Sequence, residues 1–256
     1  MIIDCRLCAK WAILSSLSLS AQLAFALSDS PIKATSTLFT PNIITLSAGP
    51  AWENGGDSQT FYLNPGVEKT YHAYDSTNTL ADGELFIGKQ WALRDTLQAQ
   101  LGVAFAATSY AGLSGEIWDD ASSEFNNYTY KYKIEHTHVA VKGKLLGDWG
   151  YIVTPWISMS LGLGFNRAQS FYSTPVIFEA VETPDFQNNT EMAFTYTIGA
   201  GVQYALNNHW QVGAGYEFAD WGKSELAAAP GQTMGNGLSL DHLYTNALMM
   251  NLTYIS

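Results

Sequence analysis

The chain has 256 residues, of which 14% are charged and 13% aromatic, with a formal net charge of −11 and a mean hydropathy of −0.02. Soluble proteins carry about 25% charged residues, and a membrane protein built of helices needs runs of about 18 or more apolar residues, so both classes fit poorly. Low charge, many aromatics and a neutral average suit a sheet with one face in lipid and one polar face.

Residues 1–26 read as an export signal. Arg6 and Lys10 supply positive charge, an apolar, serine-interrupted stretch runs from Trp11 to Phe25, and Ala24-Phe25-Ala26 forms an A-x-A cleavage site. A transmembrane anchor is the competing reading, but the stretch is short and dilute for one. Both cysteines, Cys5 and Cys8, lie in this segment, so cleavage leaves no thiol for a disulfide or a thiolate metal site. It also removes Asp4, Arg6 and Lys10, leaving 22 acidic against 10 basic residues. That net of −12 argues against nucleic acid as a partner, because phosphate binding needs a basic face. Residues 27–41 are expected to form a short periplasmic segment.

From residue 42 onward the chain alternates with a period of two, as strands do and helices do not. Ile44, Leu46, Ala48 and Trp52 share one face, as do Leu85, Ile87 and Trp91. In the third segment Leu97, Leu101, Val103 and Phe105 oppose Gln98, Gln100, Gly102 and Ala104. Val139, Val141 and Leu145 oppose His138, Lys142 and Lys144. The fifth segment sets Ile157, Met159, Leu161, Leu163 and Phe165 against Ser158, Ser160, Gly162 and Gly164. The sixth sets Met192, Phe194, Tyr196, Ile198 and Val202 against Thr195, Thr197, Gly199, Gly201 and Gln203. Val212, Tyr216 and Phe218 oppose Gln211, Gly213, Gly215 and Glu217, and the last segment carries Tyr244, Leu248, Met250, Leu252 and Tyr254. This makes eight strands.

The connections alternate in length. Leu93–Asp95, Gly147–Gly150 and Asn207–His209 are tight polar turns, whereas 53–79, 111–129, 166–190 and 223–241 are long. Short turns at one end, long loops at the other and an even strand count predict an all-β fold, an eight-stranded antiparallel up-and-down transmembrane β-barrel over 42–256 with four long extracellular loops. Lipid offers no partner to backbone N–H and C=O, so the sheet must close. Aromatic girdles are expected from Trp91, Trp149, Tyr151, Tyr204, Trp210 and Tyr254 at one end and Trp52, Tyr110, Phe165, Trp221 and Tyr244 at the other.

The signal, this rhythm, the strands "SLGLGFN", "TIGAGVQYAL" and "VGAGYEF", and the closing "MMNLTYIS" resemble the small eight-stranded outer-membrane barrels, namely the membrane domain of outer membrane protein A and the opacity-type surface proteins of Gram-negative bacteria. The resemblance covers about residues 40–256. It implies residence in the outer membrane among lipid and lipopolysaccharide, delivery by the barrel-insertion machinery, and contact with host or cell-surface molecules. Members usually end in Phe, where this chain has Ser256.

Eight strands leave a lumen wide enough only for side chains. A polar and charged lumen network is expected from Glu84, Gln98, Gln100, His138, Lys142, Lys144, Gln203 and Glu217, with the acids and lysines pairing as a plug or an electrostatic gate. His136 and His138 share a strand face, but no third metal ligand is evident. Lys89 points at lipid in this register, which snorkelling or a local bulge would relieve. The Gly-x-Gly strands do not complete a dinucleotide fingerprint, and no cofactor is expected. Nearly all the excess negative charge falls in the long loops, most densely at Glu116, Asp119, Asp120 and Glu124. The reading is a non-catalytic surface barrel whose acidic loops mediate adhesion or host contact. The alternatives are a narrow porin-like channel for small solutes and, further off, a lipid A-modifying enzyme using serine and histidine.

Overall fold

Alternation makes strands here because each residue has only two faces to choose between. The computed structural model describes residues 40–75, 77–180 and 184–256; the expected export signal, and the expected periplasmic segment up to residue 39, lie outside the described residues. Thirteen strands follow in order: β1 (Asn42–Glu53), β2 (Gln59–Asn64), β3 (Val67–Ala73), β4 (Thr79–Arg94), β5 (Leu97–Thr108), β6 (Ala111–Asp119), β7 (Asn126–Gly147), β8 (Thr154–Pro175), β9 (Asn189–Ala205), β10 (Trp210–Asp220), β11 (Ser224–Glu225), β12 (Ser239–Leu240) and β13 (Tyr244–Ile255).

Eight of them close into a ring, β1-β4-β5-β7-β8-β9-β10-β13, with every neighbour antiparallel and β13 returning to β1. The seam is drawn tight at the termini, where Ser256 N–H donates to the Asn42 carbonyl at 3.0 Å and Asn42 N–H donates to Ser256 Oγ at 3.2 Å. The chain is thus an all-β barrel with tight turns at one end and long connections at the other. Along the ring the outward side chains are apolar and uncovered, among them Leu46, Leu101, Val141, Ile157, Phe194 and Met250. A belt of that extent is far beyond what a water-facing monomer exposes. With each ring strand paired on both sides, it is the wall of a transmembrane barrel. Among the described residues no helix is long and apolar enough to cross a membrane.

The four long connections are not open loops. β2, β3 and β6 continue the wall beyond the ring, and β7 pairs with β6 over Asn126–Ile134 and with β5 over Thr137–Gly147. The sign of the alternation flips at this level. On β7 the inward residues change from Lys142, His138 and His136 to Ile134, Tyr132, Tyr130 and Tyr128, while Lys131, Lys133 and Glu135 turn outward. Above the lipid belt the outside meets water and the inside must be apolar. Tyr71, Tyr130, Phe171, Phe186, Leu226 and Leu243 pack there as one buried core filling the long end. Burial raises the phenol pKa of Tyr71 and Tyr130, that of Tyr71 further through nearby Asp119.

Two expectations change. Trp221 is not a girdle residue; it is 1% exposed inside this core. The lumen is not uniformly small and polar either, since Ile43, Phe86 and Ala104 form a second buried apolar cluster. Lys89 does face outward, and its pairing with Asn42 and Leu101 is unbroken, so no bulge turns it inward; the register shift on this strand lies between Ala92 and Arg94.

Deleting residues 244–256 removes β13 and leaves β1 and β10 as raw edges. The expected outcome is complete loss of the compact, heat-modifiable band on unheated gels. Retention of that band would contradict ring closure.

Candidate functional site

Inward parity on the eight ring strands brings the polar side chains of the lumen together in three layers. The middle layer is ionic. Lys142 Nζ from β7 donates to both oxygens of Glu84 on β4 at 2.7 and 2.8 Å, and to Glu217 Oε2 on β10 at 2.7 Å. All three side chains are buried. Ser160 and Thr197 bond at 2.8 Å, as do Thr45 and Thr253, so neighbouring hydroxyls are satisfied across the seams of the ring.

The layer toward the tight turns is neutral apart from Lys144. Its ammonium does not reach a carboxylate; it donates to Gln203 Oε1 at 2.8 Å and lies 4.4 Å above the Trp156 ring, a cation–π contact. Gln203 passes the chain of bonds to Gln211, and on the opposite wall Gln90 links Gln98 to Gln100. Trp156 fits because glycines make room for it: a Cβ at Gly215 would lie 2.4 Å from the indole. A cavity of about 30 Å³ remains against Lys142, Lys144 and Trp156. Gln100 Oε1, Trp156 Nε1 and Ser158 Oγ face this region without a protein partner, and its size and polarity suit about one ordered water.

The layer toward the long end is built on His136. Asn166 donates through Nδ2 to the carbonyls of Trp221 and Lys223 at 2.8 and 2.7 Å, which fixes its Oδ1 toward His136 Nδ1 at 2.6 Å. His136 Nδ1 is then the donor. With both rings neutral, His136 Nε2 accepts from His138 Nδ1 at 2.9 Å. Trp221 stacks flat on His136 at 4.5 Å. Every nitrogen of this relay except His138 Nε2 has a partner among the described residues.

The acidic cluster does not form one exposed patch. Glu116 and Asp119 lie on β6, where Glu116 accepts from Tyr74 and Trp118, and Asp119 holds the buried Lys69 at 3.0 Å and Asn127 at 2.6 Å. Asp120 and Glu124 stay exposed in the turn that follows. The sequence reading did not name Trp156, Asn166 or Trp221 as lumen residues. For Trp156 and Asn166 the signal was present: both share the face of Ser158 and Ser160.

No protein-family model and no curated protein sequence matches the chain. Among solved structures it is similar to the outer membrane protease OmpT of Escherichia coli at 11% identity, TM-score 0.48, over 88% of this chain and 99% of that one. It is also similar to Neisserial surface protein A at 10% identity, TM-score 0.43, over 83% and 96%. A third likeness is to the attachment invasion locus protein Ail of Yersinia pestis, at 13% identity, TM-score 0.36, over 84% and 99%.

Lys142→Ala leaves two buried carboxylates without their cation, and breaking such a pair costs about 3–5 kcal/mol. Lys144→Ala removes one hydrogen bond and a ring contact, worth about 1–3 kcal/mol together. Urea unfolding in detergent is expected to rank Lys142→Ala well below Lys144→Ala, with Glu84→Gln/Glu217→Gln/Lys142→Met recovering much of the loss. Equal midpoints for Lys142→Ala and the wild type would show that the ionic layer does not hold the lumen.

Proposed function

We propose that the chain works in the bacterial outer membrane as a closed barrel that carries a structured head outside the cell, acting by surface contact rather than by conduction or catalysis. The observation that carries this reading is the buried apolar core of the long end, above the Lys142 layer. A solute would have to displace both. The narrow-channel alternative therefore requires the ionic layer and the aromatic core to move together.

The catalytic alternative finds little support in the side-chain geometry, since a site needs a matched nucleophile, base and orienting group. In the lumen His136 and His138 bond to Asn166 and to each other, not to a serine. In the head Ser58 Oγ meets His72 Nδ1 at 3.1 Å, but the same oxygen accepts Ala73 N–H and the imidazole stacks on Trp118. Both contacts serve the β3 edge.

The contact role falls on the charges that the head leaves free, foremost Asp120 and Glu124 beside the 3-10 turn Ser123–Phe125. A partner with a basic protein surface fits them, and a polyanion does not. On intact cells, tags at 120–124 are expected to be reachable and tags at Asp95, Asp148 or Asn208 not; the reverse pattern would invert the barrel. Asp120→Asn with Glu124→Gln is expected to lower host-cell binding several-fold at about 0.1 M salt and to have no effect at about 1 M, where the Debye length falls from about 10 Å to 3 Å. Binding unchanged by either variable would reduce these acids to solubilising charge.

A further inference from the structure

Nine lysines and arginines fall among the described residues, and four of them are already engaged. Lys142 and Lys144 are in the lumen, Lys69 is buried against Asp119, and Lys223 pairs with Glu225 at 3.0 Å. Lys89 and Arg94 lie toward the tight-turn end. The remaining three, Lys131, Lys133 and Arg167, stand together. They are exposed and point outward from the adjoining strands β7 and β8.

Their height is set by the register. Arg167 is the next outward residue after Phe165, the last apolar residue of the β8 belt, and so lies about 7 Å further along the strand. Glu135 pairs with Arg167, Lys133 with Gln169, and Lys131 with Tyr172, so the two lysines continue upward from the arginine. This is headgroup depth, and lysine stems of this length reach down as well as up. On the β6 side the facing residues are Gly112 and Ser114. Nothing lies within 4 Å of where a Cβ on Gly112 would sit, so the lysine heads are not crowded. Tyr110 lies 4.9 Å below the Lys133 ammonium, and Tyr172 is half exposed beside Lys131. Such aromatics mark a membrane–water boundary. Among the described residues the only carboxylate within 4.0 Å of the three cationic groups is Glu135, 3.8 Å from Arg167, so the patch stays positive on an otherwise acidic chain.

We infer that this patch is a binding site for the phosphate of an outer-leaflet lipid, whose acyl chains lie along the exposed Leu163, Phe165 and Val139 below it. Three cations rising in one file from the edge of an apolar wall, beside boundary tyrosines, match a molecule that is anionic at its head and apolar beneath. The planar guanidinium of Arg167 suits two phosphate oxygens and the lysines add point charges. The inference rests on the outer-membrane reading above.

The test uses the refolded chain in zwitterionic micelles, titrated with diphosphoryl lipid A, with lipid A stripped of both phosphates, and with inorganic phosphate. Native mass spectrometry reads the bound fraction. The wild type is expected to bind the diphosphoryl form at least tenfold more tightly than the stripped form. Lys131→Ala/Lys133→Ala/Arg167→Ala is expected to lose that preference, and Lys89→Ala/Arg94→Ala, at the other end, to keep it. Should the triple variant give no heat-modifiable band, Lys133→Gln/Arg167→Gln takes its place with a several-fold loss expected. Equal binding of the stripped lipid, retention of the preference by the charge variants, or full competition by millimolar inorganic phosphate would each overturn the site. Cell fractionation separates the two claims: a folded chain outside the membrane fraction sinks the membrane reading, whereas a membrane-resident chain indifferent to lipid phosphate sinks this one.

Discussion

Backbone hydrogen bonding in lipid governs this molecule. Hydrocarbon offers no partner to an unpaired N–H or C=O, so each spanning strand must be paired on both sides and the sheet must close. Closure with eight strands, sealed where β13 meets β1, fixes the lumen at roughly the width of side chains. What fills that width is then the functional question, because the same wall can surround a pore or a plug.

The filling has a consistent logic. In the belt the lumen is flanked by lipid on the far side of the wall, and the inward residues carry the polar burden. One lysine is held between two carboxylates, with amides below and a histidine relay above. Removing one partner of such a cluster is far more damaging than never having had it, which ties the three charges to one another. Above the belt water replaces lipid, and the polarity of the wall reverses. The inward face becomes tyrosine, phenylalanine and leucine, and the outward face becomes lysine, arginine and glutamate. The head is therefore folded like a small soluble sheet on top of a membrane barrel, with one strand pair, β7 and β8, running through both.

That reversal explains what the sequence disclosed and what it hid. Period-two alternation with greasy residues outside is local, and it marks all eight ring strands together with the inward parity of Glu84, Lys142 and Glu217. Which lysine meets which acid is not local, and Lys144 turns to Trp156 and Gln203 instead. In the head the period continues through Tyr128, Tyr130, Tyr132 and Ile134, but with the sign inverted, so a search for one apolar face stops at the boundary and assigns loop. β2 and β3 are short strands on either side of a Gly66 turn, and punctuation of that kind reads as a connection. Trp221 looked like a boundary aromatic because its neighbour strand ends there; only packing against His136 places it inside. Asn166 continues the inward parity of Ser158 to Gly164, but its partners, the carbonyls of Trp221 and Lys223, lie in a distant turn that parity does not reach.

A lumen plugged by the ionic layer and the aromatic core passes no ions, and electrical recording of the refolded chain in a planar bilayer reads this. Fully folded wild-type protein is expected to give no reproducible current steps across a range of voltages in a simple salt. Stable, voltage-independent steps from the same preparation would contradict the plug and would mean that the ionic layer and the aromatic core part to form a pore.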